Sequence, residues 1–234
     1  MLPACLPAGR DTRYRIQSTQ FPTFDLMYNL AHFVEKDEAK VREFVRAHPF
    51  AFITGSDAQH WPVATQIPVF IDEREGKIFL SGHMMKQTDH HLAFLQNPNA
   101  LVVFTGAHTY VSASWYKDQK QASTWNYMSV HAKGRLQFQD EQALLDILKR
   151  TTNYFENNPH SPSLFEQLSD DYVHRLAKAI VAFEIEVLEM VGIFKLSQNR
   201  DDASYRNIVE KLGSKENADA NEIAAIMSQR REIK

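Results

Sequence analysis

The stretch TWNYMSVHAKGRLQF, residues 124–138, decides the fold because its side chains alternate between two kinds. One set of alternate positions is largely apolar or small: Thr124, Asn126, Met128, Val130, Ala132, Gly134, Leu136 and Phe138. The other set is aromatic and polar: Trp125, Tyr127, Ser129, His131, Lys133 and Arg135. Successive side chains of a β-strand point to opposite faces, so the pattern predicts a long strand with one face on a core.

Shorter strands are predicted on either side of this stretch. Apolar, partly β-branched runs occur at residues 50–54, 63–71, 77–82, 100–106 and 181–187. Pro68 lies inside the second run and predicts an edge strand or a bulge, because proline cannot donate to a ladder. A further hairpin is expected with residues 110–114 on one side. These elements predict a small antiparallel barrel, an α+β fold that is mainly antiparallel β.

Helices are predicted where apolar residues recur every three or four positions. They fall between Asp37 and Pro49, before Asn97, and near residues 140–157, 170–179, 202–212 and 219–230. Residues 1–26 carry three prolines and no clear period. We therefore expect an N-terminal extension at 1–26, one barrel domain at 27–200 and a C-terminal helical tail at 201–234.

The composition is that of an ordinary globular chain and limits the partners. Hydrophobic residues make up 44% and charged residues 24% of the 234 residues. No apolar run approaches the roughly 20 residues of a membrane helix, so a soluble, cytoplasmic protein is expected. The net charge of −3 argues against nucleic-acid binding through bulk electrostatics. The single cysteine, Cys5, can form no internal disulfide, which indicates a reducing compartment.

Common catalytic motifs are missing from the sequence: there is no nucleophile elbow, Walker loop, dinucleotide-binding glycine motif or zinc-binding H-E-x-x-H. Demanding chemistry would therefore have to come from a bound cofactor. Ten histidines are present, but the adjacent His90 and His91 point to different faces of a helix, and Asp89 is the one acidic residue near them at a suitable spacing. No metal site is expected.

Three polar segments are candidates for ligand binding, and each also has an ordinary structural explanation. Residues 81–91 lead from a strand into a helix, where free N–H groups favour a phosphate near Lys86, or where Thr88 simply caps the helix. The aromatic and amide groups of residues 112–131 suit a planar heterocycle, or else a dimer interface or barrel core. The segment KLSQNR, residues 195–200, is either a clamp for phosphate or ring carbonyls or a solvated loop.

Seven segments, in this order, resemble a known family. They are MYNLAHF (27–33), RAHPFAFI (46–53), GHMMK (82–86), SWY (114–116), TWNY (124–127), VHAKGRL (130–136) and KLSQNR (195–200). Together they are similar to the PaiB-type family, described as FMN-binding negative transcriptional regulators. The resemblance extends over about residues 28–212. The fold of that family resembles the split β-barrel of pyridoxamine-phosphate oxidase.

The resemblance implies a homodimer of six-stranded split barrels with FMN sites between the subunits. The phosphate side of each site would draw on His83, Lys86 and Thr88. The ring or ribityl side would draw on Trp125, Asn126, Tyr127 and His131. The site would be closed, from the same or the second subunit, by Lys195, Ser197, Gln198 and Arg200. The sequence departs from the family pattern at residues 86–88, where an arginine or asparagine is expected, but it keeps a cation and a hydrogen-bonding group.

For function, the resemblance implies negative regulation of gene expression and leaves alternatives open. An FMN-dependent oxidoreductase or flavin reductase, or a haem-binding protein, would use the same scaffold, so whether the chain is an enzyme is undecided. There is no clear helix-turn-helix pattern. Two interpretations are open for Arg230, Arg231 and Lys234: they contact DNA or a partner, or they are ordinary solvated residues on a helix face.

Overall fold

A closed antiparallel barrel forms the centre of the molecule. The computed structural model describes residues 30–231, so the expected extension at 1–26, with Cys5, and the terminal Lys234 lie outside the described residues. The strands are β1 (Val34–Glu35), β2 (Phe50–Ser56), β3 (Pro62–Arg74), β4 (Lys77–Met85), β5 (Asn99–Val111), β6 (Thr124–Phe138) and β7 (Ile180–Lys195). The predicted fold class, mainly antiparallel β with helices, is confirmed.

The strand order explains how the barrel closes. The strands follow the order β1-β7-β4-β3-β2-β5-β6, and a second pairing of β6 with β7 joins the two sides. β6 has the bounds that the alternation predicts, and Val130 and Ala132 on its apolar face are completely buried. The β6–β7 ladder runs from Phe138, opposite Phe183, to Tyr127, opposite Lys195. Six strands therefore close the barrel, and the short β1 is added beside β7.

The edge strand or bulge predicted from Pro68 holds only locally. In the strand order β3 lies between β2 and β4, but residues 62–68 pair with β2 alone and residues 69–74 with β4 alone. Pro68 is the last residue of β3 that pairs with β2, opposite Phe50, and the pairing with β4 starts at Val69. Proline lacks an N–H, and Pro68 lies where β3 changes its partner strand. Few ladder hydrogen bonds are therefore lost by a proline at this position.

Two other strands are longer than the sequence predicts. β5 runs through Val111 with a bulge between Thr105 and His108, so residues 110–114 do not form a separate hairpin strand. Residues 113–115 form a short 3-10 helix instead. β7 continues to Lys195, well beyond the predicted end at 187. Bulges and strand ends depend on neighbouring strands, which a local pattern does not encode.

The helices connect the strands and complete the core. They are α1 (Glu38–Ala47), α2 (Asp89–Gln96), α3 (Glu141–Glu156), α4 (Asp170–Ala177), α5 (Asp202–Gly213) and α6 (Ala218–Arg230). As predicted, Asp37 caps α1 and Thr88 caps α2, each accepting backbone N–H groups of the first turn. Within residues 30–231, no helix combines the length and the apolar character that crossing a membrane requires.

Helices α5 and α6 share the core of the barrel. Tyr205, Ile208 and Met227 are almost completely buried, and they belong to the same apolar cluster as Phe104 of β5. A smaller cluster, which includes Phe70, lies between the barrel and helices α3 and α4. The division of the chain at 27 and at 200 stays a prediction.

Candidate functional site

One row of side chains shows which side of the barrel wall faces outward. The register places Phe52 of β2, Val103 of β5 and His131 of β6 side by side. Residues paired across a ladder lie on the same face of a sheet. Their chain neighbours Ile53 and Val102 are completely buried inside the barrel, so this row lies on the outer face.

The outer face is rich in exposed aromatic side chains. Phe50 is 53% exposed, Phe52 41%, Tyr110 46% and Trp125 52%. Exposed aromatic side chains on neighbouring strands are typical of a ligand or subunit contact. The sequence did not predict Phe50, Phe52 and Tyr110 as site residues. The alternation of FAFI at residues 50–53 could have indicated that Phe50 and Phe52 share one face.

Trp125 stands in an aromatic cluster at one end of this face. Its ring centre lies 5.9 Å from that of Tyr110, edge-on, and 6.2 Å from that of His108. Tyr127, the next outward residue of β6, pairs with His108 on one side and with Lys195 on the other. Flat aromatic surface beside a cation suits a planar ring system with polar edges.

Lys195 and Arg200 place two cations at this end. The Nζ of Lys195 donates to Thr124 Oγ1 at 2.6 Å. Burial lowers the pKa of the Lys195 ammonium, and the nearby Arg200 guanidinium lowers it further. The guanidinium carbon of Arg200 lies 4.0 Å from the centre of the Tyr116 ring, and the group also donates to the Gln121 side chain. The two cations are thus held in place by other parts of the chain.

Asn126 and Ser197, both expected to bind the cofactor, point into the protein. Asn126 is completely buried and Ser197 is 2% exposed. The Ser197 hydroxyl donates to Asn126 Oδ1 at 2.9 Å, and Asn126 Nδ2 donates to Met227 Sδ at 3.4 Å. The Gln198 amide bonds to backbone groups just before it at 2.7 Å. These three side chains shape the 195–200 turn.

His83 lies on the outer side of β4, opposite Ala182 of β7. Its Nδ1 is buried and has no hydrogen-bond partner within residues 30–231. Burial also lowers the pKa of the imidazole, which favours the neutral ring at pH 7. Buried polar atoms are nearly always paired, and within the described residues the Tyr116 hydroxyl is the other such atom.

Lys86 and Thr88 follow His83 at the junction of β4 and α2. Lys86 is exposed, and its Nζ donates to the carbonyl oxygen of Lys178 at 3.4 Å. In the first turn of α2, the Thr88 hydroxyl and the Asp89 carboxylate each accept a backbone N–H. Because these donors are used, the Lys86 ammonium is the main attraction for an anion at the junction.

The structure brings the expected residues together in two groups. His83, Lys86 and Thr88 lie at the β4–α2 junction, while the others lie on β6 and at the end of β7. In the closed barrel β7 lies between β4 and β6 on one side, while β3, β2 and β5 lie between them the other way round. At about 4.8 Å per strand, the shorter way spans about 10 Å across the strands of the outer surface. His131 is on this face too, and burial, with a smaller effect of Lys133, lowers the pKa of its ring.

Other features of the structure lie apart from this face. Within residues 30–231, no group of three or more His, Cys, Asp or Glu residues is arranged to hold a metal ion. A cleft of about 780 Å³ separates α1 from the end of β7 and α6. Met128 and Phe194 line it from the inner side of the barrel wall, and Gln198 is the expected site residue that reaches it.

A closed antiparallel barrel with a polar and aromatic outer face defines a split β-barrel protein. The structure is similar to the FAD and haem binding protein from Mycobacterium smegmatis, with 16% identity and a TM-score of 0.50 over 76% of this chain and 80% of that one. It is also similar to a conserved hypothetical protein from Mycobacterium tuberculosis, with 12% identity and a TM-score of 0.50 over 70% of this chain and 88% of that one. These likenesses concern the fold.

The chain belongs to the family described as "Putative FMN-binding domain", whose model matches residues 27–189. Protease synthase and sporulation protein PAI 2 from Bacillus subtilis (strain 168) is 29% identical over 201 residues, 86% of this chain and 96% of that protein. An uncharacterized protein of Emericella nidulans is 25% identical over an alignment of 252 positions, which covers 89% of this chain and 99% of that protein. The expected family is confirmed: this is an FMN-binding split-barrel protein of the PaiB type.

The residues on the outer face fit FMN. The exposed ammonium of Lys86 is a cation at the junction, as a phosphate requires, and the ring of His83 lies just before it on the outer side of β4. At the other end, Trp125 and Tyr127 provide flat surface for a ring system, and Arg200 adds donors for its polar edge.

Proposed function

We propose that the outer face of the barrel holds FMN between two copies of the chain. The observation that carries the proposal is the exposed aromatic row Phe50, Phe52, Tyr110 and Trp125, which a single chain leaves uncovered. Apolar surface in the middle with polar groups at the ends is the anatomy of a subunit interface. A second copy laid on this face buries the row and encloses the ring system from both sides.

The junction of β4 and α2 binds the phosphate in this proposal. Lys86 supplies the charge, Thr88 fixes the start of α2, and the ring of His83 lies on the outer side of β4 just before them. A charge-assisted hydrogen bond is stronger than a neutral one, so Lys86 carries most of the phosphate affinity.

The ring system packs at the other end of the face. Trp125, Tyr127 and His131 are its contact residues on β6, and Lys195 and Arg200 close the site over its polar edge. Bound FMN supplies hydride or electron transfer, while the chain binds and orients it. The single chain carries both groups on the outer surface of its barrel, and a homodimer provides two such sites.

The proposed biological role is negative regulation of gene expression. The support is the relationship to the Bacillus subtilis protein, whose name refers to protease synthesis and sporulation. The net charge of −3 does not favour wide contact with DNA phosphates. We therefore expect no salt-sensitive shift of a promoter fragment in a gel-shift experiment at two salt concentrations, and regulation through a partner protein.

A titration with FMN tests the binding proposal. We expect a yellow complex, quenching of the flavin fluorescence with one FMN per chain, and the mass of a dimer by light scattering. Protein that leaves the flavin fluorescence unchanged at every concentration contradicts the proposal. Addition of NADPH to the complex then separates an oxidoreductase, which bleaches the flavin, from a regulator, for which no bleaching is expected.

A further inference from the structure

A buried amide connects three parts of the chain behind the cofactor face. Asn126 has no exposed surface, and its side chain bonds to residues far away in sequence. Its Oδ1 accepts the Ser197 hydroxyl at 2.9 Å, and its Nδ2 donates to Met227 Sδ at 3.4 Å. Because sulfur is a weak acceptor, the bond to Ser197 is the stronger one. Asn126 therefore ties β6 firmly to the turn after β7 and loosely to α6.

The turn needs such a tie because its backbone is unfavourable. Ser197 has φ of 59°, in the left-handed region that residues other than glycine rarely adopt. The N–H of Arg200 donates to the carbonyl oxygen of Ser197 at 2.9 Å and closes the turn. Arg200 follows this position, so the conformation of Ser197 sets where the chain places Arg200, while Lys195 is held by the β6–β7 ladder and by Thr124.

We propose that Asn126 is a positioning residue of the cofactor site, which acts through Ser197 and never touches the cofactor. The inference rests on the proposed FMN site. Trp125 and Tyr127, the neighbours of Asn126 on β6, face the opposite side of the barrel wall. One strand thus carries contact residues on its outer face and the residue that positions Arg200 on its inner face. In the low dielectric of the interior, the Asn126–Ser197 bond is strong enough for this role.

The substitution Ser197→Gly tests the role without endangering the fold. Glycine adopts the left-handed conformation without strain, which offsets part of the cost of leaving Asn126 Oδ1 unpaired, so we expect only a small fall in melting temperature while the bond to Asn126 is lost. We expect FMN affinity to fall about tenfold, as for the loss of one buried hydrogen bond. Asn126→Ala should give a similar loss. The double variant should bind no more weakly than the single variants, because both remove one interaction.

Met227→Leu is the matched control. It keeps the apolar volume and removes only the weaker partner of Asn126, so FMN affinity should change by no more than about twofold. Native FMN affinity in both Ser197→Gly and Asn126→Ala would overturn the inference, and so would additive losses in the double variant.

A second measurement separates this inference from the proposed function. Hydrogen exchange of the backbone amides in residues 195–200, followed by mass spectrometry, reports on the turn without any cofactor. We expect faster exchange there in Asn126→Ala and unchanged exchange in Met227→Leu. If the native protein fails to bind FMN, the proposed function is wrong, while unchanged exchange in Asn126→Ala shows separately that Asn126 does not hold the turn.

Discussion

The β4–α2 junction and the far end of the β6–β7 ladder both lie on the outer surface of the barrel, on strands either side of β7, but differ in their chemistry. At the junction, the candidate ligand contacts are the exposed Lys86 ammonium and the ring of His83. At the far end, Trp125 and Tyr127 present rings, and Arg200 is stacked on an aromatic side chain. The junction offers charge without flat surface, and the far end offers flat surface with charge at its edge.

This difference assigns separate parts of one ligand to the two ends. A phosphate is recognised by charge and hydrogen bonds, whereas a flavin ring is recognised by contact area and a few polar groups. Riboflavin has the same ring system as FMN and no phosphate. The ratio of the affinities for FMN and riboflavin therefore reports on the junction alone, and changes common to both ligands report on the far end.

The largest expected effect comes from Phe52, one of the exposed aromatic residues of the outer surface. Phe52→Asp places a charge in the centre of the proposed interface, where a buried unpaired carboxylate is not tolerated. We expect the dimer to dissociate to monomers in sedimentation experiments, and affinity for FMN and riboflavin alike to fall about a hundredfold, as for a central interface residue.

Leu188→Asp is the control for this substitution. Leu188 is 66% exposed and lies on β7 beside the Lys133–Gly134 irregularity, away from the aromatic row. The variant should remain dimeric and bind both flavins normally. A Phe52→Asp protein that stays dimeric would move the interface elsewhere, and a monomeric variant with native FMN affinity would show that one chain suffices for the site.

The next effect tests the junction. Lys86→Ala removes the cation of the proposed phosphate site, so FMN affinity should fall about tenfold while riboflavin affinity stays unchanged. Isothermal titration with each flavin measures the ratio. Lys178→Ala removes a neighbouring exposed lysine whose carbonyl oxygen, and not its ammonium, contacts Lys86, and it should leave the ratio intact. An equal loss for both flavins in Lys86→Ala would contradict the assignment of the phosphate.

The sequence predicted much of this barrel and separated the two faces of β6, because alternation is a local property. It placed Asn126 on the core side together with Met128, while the family resemblance implied cofactor contact. The structure agrees with the alternation, since Asn126 is completely buried. Its partners Ser197 and Met227 are 71 and 101 residues away, and such pairings follow from tertiary packing that no local pattern contains.

A smaller effect is expected at the ring end. Trp125→Ala removes one aromatic surface worth about 1 kcal/mol beyond its area, so affinity for FMN and for riboflavin should each fall about fivefold. The ratio of the two affinities should stay constant. Trp61→Ala is the matched control, because Trp61 is 71% exposed between β2 and β3, and it should bind both flavins normally. A loss confined to FMN would show that the two ends have been assigned the wrong way round.

The smallest effect concerns the pH dependence of stability at the junction. Burial lowers the pKa of His83 from its ordinary value of 6.5, so the unfolded chain binds a proton at a pH where the folded chain does not. The free energy of unfolding is therefore unaffected by His83 above the pKa of the unfolded chain. It decreases as the pH falls from that pKa toward the lower pKa of the folded chain. Between about pH 7.5 and pH 5.5, the melting temperature of the native protein should drop more than that of His83→Gln.

FMN should reduce this difference if its phosphate lies at the junction. A phosphate beside His83 favours the imidazolium and raises the pKa of the ring in the complex, which brings it closer to the unfolded value. With saturating FMN, the native protein and His83→Gln should then lose melting temperature in parallel as the pH falls, whereas saturating riboflavin should leave the difference in place. Identical behaviour with the two flavins would mean that the phosphate does not lie near His83, and the charge at the junction would need another explanation.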